Sequence, residues 1–386
     1  MTLFTQTSTW NQEEHSMFSD SVKRFYADHL VPNMQRFDTD GMVDRDFWKK
    51  AGEIGIMGGS VPEEYEGSGG SYGFDSIALY EQGKIGDGSW GYGIQSIVIH
   101  YLIKYGSYEQ KAYWLPRLVS GESIGALAMT EPGCGSDVQS IQTSAEKKGN
   151  HYLINGSKTF ITNGGSADVI ILTTKTEASK GAKGVSLILV DTRDLEGFRR
   201  GPRMNKLGQK GNDTAELFFD NVMVPRTNLL GDEEGQGFYQ LMMQLPWERL
   251  LIGITALGTI DFALEQTISY VQERKAFGKR LMDLQNTRFK LAEAKTKAEL
   301  LRTFVNDCIQ RIENNELDAA TASMVKYWGS ETQNQIINEC LQLHGGYGYM
   351  LDYPIARLYV DSRVQMIYGG SNEIMKELIA RSIDSS

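Results

Sequence analysis

The chain has 386 residues, enough for two or three domains with buried cores, and its 41% hydrophobic and 23% charged residues are ordinary for a soluble globular protein. Its formal net charge of −10 and the lack of any basic run argue against a nucleic-acid or anionic-membrane surface. Three widely spaced cysteines predict a reducing compartment without disulfides, and five histidines in no HxxxH or HExxH pattern predict no metal site.

We expect neither a membrane-spanning segment nor a targeting signal in this sequence. No apolar stretch reaches the roughly 20 residues needed to cross a bilayer, the first residues do not resemble a signal peptide, and the last ones carry no ER or peroxisomal signal. We expect a bacterial cytoplasmic protein, with a processed mitochondrial matrix form as the alternative. Neither a P-loop nor a complete GxGxxG fingerprint occurs, so a nicotinamide cofactor has little support.

The first third of the chain is predicted to be helical. Apolar residues recur every three to five positions over residues 14–30, 46–57 and 74–118, and glycine-rich breaks separate these segments.

The pattern changes near Ala126 to short strands. The runs 151–154 and 157–161 flank Asn155-Gly156, a dipeptide typical of a type I′ turn, so the sequence predicts a β-hairpin here. Further β-branched or aromatic runs predict a small antiparallel β domain; they cover residues 169–174, 185–190 and 217–224.

From about residue 236 the pattern is helical again. Apolar residues from Leu291 to Ile312 repeat at alternating steps of three and four, which is the seam of a helix bundle, and 249–272 and 317–341 predict further long helices. The predicted fold is α+β. It has an N-terminal helical domain at 1–125, a β-barrel-like middle domain at 126–236 and a C-terminal four-helix bundle at 237–386.

Five motifs occur in order along this architecture: Ala128-Met-Thr-Glu-Pro-Gly-Cys-Gly-Ser-Asp137, Phe160-Ile-Thr-Asn163, Arg274-Lys-Ala-Phe-Gly278, Gln342-Leu-His-Gly-Gly346 and Tyr368-Gly-Gly-Ser-Asn-Glu-Ile374. Together they resemble the acyl-CoA dehydrogenase family, most closely its long-chain subgroup. The resemblance implies an FAD enzyme of fatty-acid β-oxidation that converts a medium- to long-chain acyl-CoA to the trans-2-enoyl-CoA. It also implies an electron-transfer flavoprotein as electron acceptor and a homotetramer built from two dimers.

The resemblance assigns residues to the cofactor. The turn from Thr130 to Ser136 and the strand pair Phe160 and Thr162 would face the flavin, while a second group would hold its adenine and pyrophosphate ends across a subunit interface. Taken alone, these segments could equally be a surface turn, ordinary strand packing and, at Gly345-Gly346, a helix C-cap. The expected cofactor contacts are Leu127, Met129, Thr130, Gly135, Ser136, Phe160, Ile161, Thr162, Arg274, Phe277, Gln285, Gln342, Leu343, Gly345, Gly346, Ser371, Asn372 and Glu373.

The same resemblance identifies the catalytic positions. Many relatives carry their catalytic glutamate where this chain has Gly369, whereas the long-chain and isovaleryl subgroups carry it on a helix at the place of Glu248. We therefore predict Glu248 as the base and the Gly369 amide as an oxyanion donor. From its position just after Pro246, Glu248 could instead be a solvated first-turn helix residue. Expected substrate contacts are Ser136, Tyr239, Arg249 and Gly370, with Arg249 an orienting or structural partner.

Several questions stay open at this point. An oxidase or monooxygenase on the same scaffold, an inactive flavin-binding relative, and a dehydrogenase for branched isovaleryl- or citronellyl-type thioesters are alternatives. The carrier, CoA or an acyl carrier protein, is also open. Glu373 is assigned to the flavin rather than to proton abstraction, and Cys134 and His344 are interpreted as packed residues.

Overall fold

Helices make up the first part of the chain. The computed structural model describes residues 2–3, 8 and 10–384. Asp44 caps the third helix by accepting a hydrogen bond from the Phe47 amide at 2.8 Å, which satisfies one of the unpaired amides at a helix start. The helices are α1 (Glu13–Phe25), α2 (Met34–Asp40), α3 (Arg45–Glu53), α4 (Tyr72–Lys84), α5 (Tyr92–Tyr105) and α6 (Tyr108–Val119).

A curled seven-stranded sheet forms the middle of the chain. Its order is β1-β4-β2-β3-β7-β6, with β5 paired to β4. The other pairs are antiparallel as predicted, but β4 is parallel to β1 and to the first residue of β2, so the sheet is mixed. The strands are β1 (Gly125–Ala128), β2 (Ser144–Lys148), β3 (His151–Thr162), β4 (Val169–Lys175), β5 (Val185–Asp191), β6 (Phe198–Arg200) and β7 (Thr214–Pro225).

The hairpin predicted at Asn155-Gly156 is wrong. Both residues lie inside the continuous strand β3, and the turn between β2 and β3 is formed by Gly149 and Asn150. The pairing of β3 with β7 shifts register at Gly156, and a Cβ there would lie 2.5 Å from Thr143 Oγ1. The glycine therefore permits a bulge and a close backbone approach instead of a reversal of the chain.

The last part of the chain is a helix bundle. The residues of the predicted seam are buried on α8, which confirms this element of the prediction. A two-stranded ribbon connects α7 to α8, and α4 of the first part packs on α7. The elements are α7 (Gly237–Glu273), β8 (Lys275–Ala276), β9 (Lys279–Arg280), α8 (Gln285–Glu313), α9 (Ala319–His344), α10 (Pro354–Ser362) and α11 (Asn372–Asp384).

The 37-residue helix α7 is long and apolar enough to cross a membrane by composition. The prediction that no apolar stretch is long enough to cross a bilayer is therefore wrong for this helix. However, 67% of its most apolar window is buried inside the protein, which is typical of the core helix of a bundle. A buried ion pair fixes α7 in the fold: Arg302 of α8 donates two hydrogen bonds to Asp261 at 2.7 and 2.8 Å.

Candidate active site

A buried carboxylate lies on α7, about three turns after the helix begins. Only 5% of Glu248 is exposed, and its Oε1 accepts a hydrogen bond from the Tyr101 hydroxyl at 2.8 Å. The alternative of a solvated first-turn residue is wrong, because Pro246 lies inside α7 and not at its start. Burial raises the pKa of Glu248 from 4.5 to about 7, and the Tyr101 hydrogen bond and the Arg249 charge oppose that rise.

Gly369 lies against the same stretch of helix. Its φ of +63° is in the left-handed region, and a Cβ built on it would lie 3.9 Å from the Glu248 carbonyl oxygen and 2.5 Å from Ile252 Cδ1. No described residue accepts a hydrogen bond from the Gly369 amide. The structure thus brings the two predicted catalytic positions together, with a free N–H donor beside a buried carboxylate.

A buried lysine that was not predicted from the sequence holds the loop that contains Gly369. Lys326 of α9 is fully buried and donates to the Gly370 carbonyl at 2.7 Å and to Asn372 Oδ1 at 2.8 Å. Ser330 also donates to that Asn372 oxygen, so this atom is already occupied and the cofactor contact predicted for Asn372 would need another atom. The sequence signal that could have indicated a buried lysine is its position inside an apolar helical run at 324–328.

The remaining residues of this motif start α11. Ser371 precedes the helix, and Glu373 is exposed in its first turn, where the helix dipole favours a carboxylate. The carboxylate of Glu373 is thus solvated, whereas that of Glu248 is buried.

A second buried ion pair stabilises the loop of the first motif. Lys158 is fully buried and donates to Glu131 Oε1 at 2.8 Å and to the Met129 carbonyl at 3.0 Å. The Glu131 carboxylate in turn accepts from the amides of Gln142 and Thr143. Lys158 was not singled out from the sequence, although a lysine between β-branched and aromatic residues of a strand is the kind of signal that finds such a pair.

The stabilised loop leaves polar groups at the surface. Gly135 and Ser136 are exposed, and no described residue accepts a hydrogen bond from either amide. Phe160 is 68% exposed with a φ of +59°, an uncommon conformation for an aromatic residue. These groups form an open edge beside Thr130, whose carbonyl accepts from the Thr159 amide at 2.9 Å.

Two predicted contacts near this edge have buried side chains. Ile161 is 2% exposed and packs in the core of the sheet, and Leu127 is 8% exposed in the main core. Because their side chains face inward, the accessible groups on this edge come from Thr162, Met129 and the backbone.

The other predicted cofactor residues lie at the far end of α7. Arg274 follows the helix, 26 residues after Glu248, which corresponds to about 39 Å at 1.5 Å per residue. Phe277 is 93% exposed, and the Arg274 guanidinium lies 5.5 Å from the centre of the Tyr347 ring. The predicted residues at this end are Arg274, Phe277, Gln285, Gln342, Leu343, Gly345 and Gly346; all but Leu343 are exposed.

The end of α9 agrees with two of the alternative interpretations. Gly345 is the C-cap of α9 with a φ of +60°, so the helix-cap interpretation is confirmed. His344 is buried, stacks on Tyr270 at 4.3 Å and bonds the Cys340 carbonyl, as expected for a packed residue. Cys134 is likewise buried, and burial raises the pKa of its thiol.

The predicted substrate contacts on α7 differ in exposure. Tyr239 is 59% exposed in the first turn. Arg249 is 3% exposed and directs its guanidinium towards α9, where it donates to Ser323 Oγ at 3.2 Å. Burial lowers the pKa of Arg249 while the Glu248 charge raises it. The geometry therefore favours the structural option for Arg249.

Family models cover most of the chain. The N-terminal, middle and C-terminal domain models of acyl-CoA dehydrogenases match residues 12–122, 126–222 and 235–383. The chain belongs to the acyl-CoA dehydrogenase family. As the family does, it uses FAD and acts as an oxidoreductase.

Similar proteins agree in fold and length. The mitochondrial long-chain specific acyl-CoA dehydrogenase of Sus scrofa is 48% identical over 96% of this chain and 86% of its own length. The mitochondrial isovaleryl-CoA dehydrogenase of Pongo abelii is 35% identical over 97% of this chain and 89% of its own length. A crystal structure of an acyl-CoA dehydrogenase from Geobacillus kaustophilus superimposes with a TM-score of 0.95 at 43% identity, over 98% of this chain and 100% of the other.

The residues at the edge of the sheet fit the family's cofactor. Unpaired amides at Gly135 and Ser136 suit a pyrophosphate or a polar ring edge, and the exposed Phe160 ring suits an aromatic plane. At the far end of α7, no atom of the described residues beyond the immediate chain neighbours lies within 4 Å of where a Cβ of Gly345 or Gly346 would be, so a ligand can approach the backbone there.

Proposed function

We propose that this acyl-CoA dehydrogenase desaturates medium- to long-chain acyl-CoA thioesters between Cα and Cβ, in fatty-acid β-oxidation, with Glu248 as the base. The observation that carries the proposal is the buried Glu248 carboxylate one helical turn from Ile252, whose side chain contacts the position of Gly369. A carboxylate in water is too weak a base for a thioester α-proton. Its burial at this site raises its basicity.

The chain's own residues account for the proton and for the charge that develops. Glu248 takes the α-proton, and the Gly369 amide donates a hydrogen bond to the thioester oxygen as negative charge builds up there. Lys326 aligns that amide because it binds the carbonyl of the next residue, Gly370. FAD supplies the acceptor for the β-hydride.

Greater identity to a long-chain enzyme than to an isovaleryl enzyme, 48% against 35%, supports a linear substrate. The base on a helix does not by itself separate these classes, so a branched thioester is the second candidate. Electron-transfer flavoprotein as acceptor and a homotetramer are part of the proposal. The tetramer is supported by the 39 Å or so between the two groups of cofactor residues along α7, because the far group is then free to serve a neighbouring subunit. The bacterial cytoplasmic location stays a prediction.

The test is anaerobic reduction of the purified holoenzyme by CoA thioesters from butyryl to stearoyl, together with isovaleryl-CoA, followed by bleaching of the flavin absorbance. We expect bleaching that is fastest with medium or long linear chains and absent in Glu248→Gln. Glu313→Gln is the matched control, since Glu313 is another carboxylate whose pKa is raised by burial, but it binds the Gly73 amide on α4.

Four results would contradict parts of the proposal. Normal bleaching by Glu248→Gln would exclude this residue as the base, and preference for isovaleryl-CoA would favour the branched class. No bleaching of the wild type by any thioester would favour an inactive flavin-binding protein. Rapid reoxidation of the reduced, product-bound enzyme by air would favour an oxidase over transfer to a flavoprotein.

A further inference from the structure

Tyr101 binds Glu248 from a different part of the fold. It lies on α5, is fully buried, and its hydroxyl is 2.8 Å from Glu248 Oε1. Among the described residues, Tyr101 is the one hydrogen-bond donor to this carboxylate. Oε2 has no described partner.

Two further contacts join α5 and α7 around this bond. Trp247 Nε1 donates to Ser96 Oγ at 3.3 Å, and Trp247 packs edge-on against His100 at 5.6 Å between ring centres. Trp247 is adjacent to Glu248 in the sequence, His100 is adjacent to Tyr101, and Ser96 lies little more than one turn before Tyr101. The position of the Tyr101 hydroxyl relative to Glu248 is therefore set by the packing of the two helices.

We propose that Tyr101 is a positioning residue: it fixes the carboxylate of Glu248 through Oε1 and so assigns the α-proton to Oε2. The proposal rests on the function proposed above. In the step, the Cα–H bond of the thioester breaks, its electron pair stays on the substrate, and an O–H bond forms at Oε2.

The hydrogen bond from Tyr101 to Glu248 Oε1 can exist both before and after the proton transfer. A phenol donates one hydrogen bond. The carboxylate accepts it at Oε1, and after Oε2 is protonated Oε1 becomes the carbonyl oxygen of the acid and still accepts it. Proton uptake at Oε1 would instead leave Tyr101 bonded to the hydroxyl oxygen of the acid, which is a weaker acceptor than the carbonyl oxygen. Tyr101 is not itself the base, because burial and the Glu248 charge raise the pKa of its hydroxyl well above the usual value.

Among the described residues, one charged side chain acts on the Glu248 pKa: Arg249 on the same helix opposes its rise. The Arg249 charge also lowers the pKa of Lys326 on α9. On α5, the polar group that contacts the Glu248 carboxylate is the Tyr101 hydroxyl. Loss of the Tyr101 hydroxyl therefore removes the one hydrogen bond that favours the charged base.

The experiment measures the pH profile of kcat/KM for the holoenzyme and for Tyr101→Phe. The acid limb of this profile reports the pKa of the free base. We expect Tyr101→Phe to move that limb upward by about one to two pH units, as fits the loss of one hydrogen bond to a charged acceptor. The high-pH plateau of kcat should also fall, because the carboxylate is no longer held in one orientation.

Tyr92→Phe is the matched control. Tyr92 lies on the same helix, is fully buried, and donates to another buried carboxylate, Asp75, at 2.5 Å. Its loss should affect stability in a similar way and leave the acid limb in place.

A second variant tests the same point with the hydroxyl kept. Site-specific 3,5-difluorotyrosine at position 101 is a stronger donor, so the acid limb should move downward. Opposite shifts in the two variants support the positioning role. An acid limb within about 0.3 pH unit of wild type in both variants, where the wild type is active, would overturn it; such a result would leave the proposed function intact, whereas a wild type that no thioester reduces would refute the function instead.

Discussion

Replacing Glu248 with glutamine should stop turnover and yet make the folded protein more stable at neutral and alkaline pH. Burial raises the pKa of Glu248 to about 7 in the folded state, against 4.5 for the ordinary group. Below about pH 4.5 both states hold the proton and there is no penalty. As the pH rises to about 7, the unfolded chain loses the proton while the folded protein keeps it, so the free energy of unfolding falls.

The size of the effect follows from that difference. A shift of about 2.5 units at 1.36 kcal/mol per unit corresponds to a penalty of about 3 kcal/mol, complete above about pH 7. Glutamine avoids this penalty because it is never charged. It also retains an oxygen that accepts the Tyr101 hydrogen bond, so little else changes at the site.

The assay is thermal unfolding of wild type and Glu248→Gln from pH 4.5 to pH 8.5. The variant should gain stability as the pH rises, with the gain levelling off above about pH 7. Glu131→Gln is the control of opposite sign. Burial would raise the pKa of Glu131, but the hydrogen bond and charge of Lys158 outweigh it and lower the pKa, so this variant should lose stability above about pH 4.5. A difference between wild type and Glu248→Gln that does not depend on pH would refute the reasoning.

Three further outcomes follow from the same contacts. In the wild type, kcat/KM should rise with pH through about 7 as Glu248 loses its proton, and a profile flat from pH 5.5 to 8.5 would count against it. Lys326→Met should lower kcat roughly tenfold or more with a smaller change in KM, since the Gly370 carbonyl loses its donor and the neighbouring amide its alignment; stopped-flow reduction measures this. Lys158→Met should weaken flavin retention, because the Glu131 carboxylate loses its ammonium partner; the flavin-to-protein absorbance ratio after gel filtration measures it, and an unchanged ratio would contradict it.

Periodicity predicted the long elements well. The seam on α8 repeats an apolar pattern over about six turns, and such a pattern has few ways to be buried other than in a bundle. The burial of Glu248 followed from its apolar neighbours together with the glycine at 369. Neither signal alone was sufficient, because an acidic residue just after a proline is ordinary at a helix start.

Local signals failed where tertiary contacts decided the conformation. Asn155-Gly156 has a strong turn propensity, but Gly156 is needed where β3 approaches Thr143. The parallel pairing of β1 with β4 joins segments more than 40 residues apart, which no short-range pattern reveals. Lys158 and Lys326 were missed for a related reason: a lysine in a strand or helix is usually solvated, and burial depends on a partner elsewhere in the chain.

The contact between Ile252 and the position of Gly369 also limits how this chain can evolve. A glutamate at position 369 would have to adopt a left-handed backbone, which costs roughly 1–2 kcal/mol. Its Cβ would also lie 2.5 Å from Ile252 Cδ1, so this buried methyl group would have to move. Moving the acidic group back to the loop thus requires at least two changes, of which the first is harmful alone. Descendants of this protein are consequently expected to retain their carboxylate on the helix.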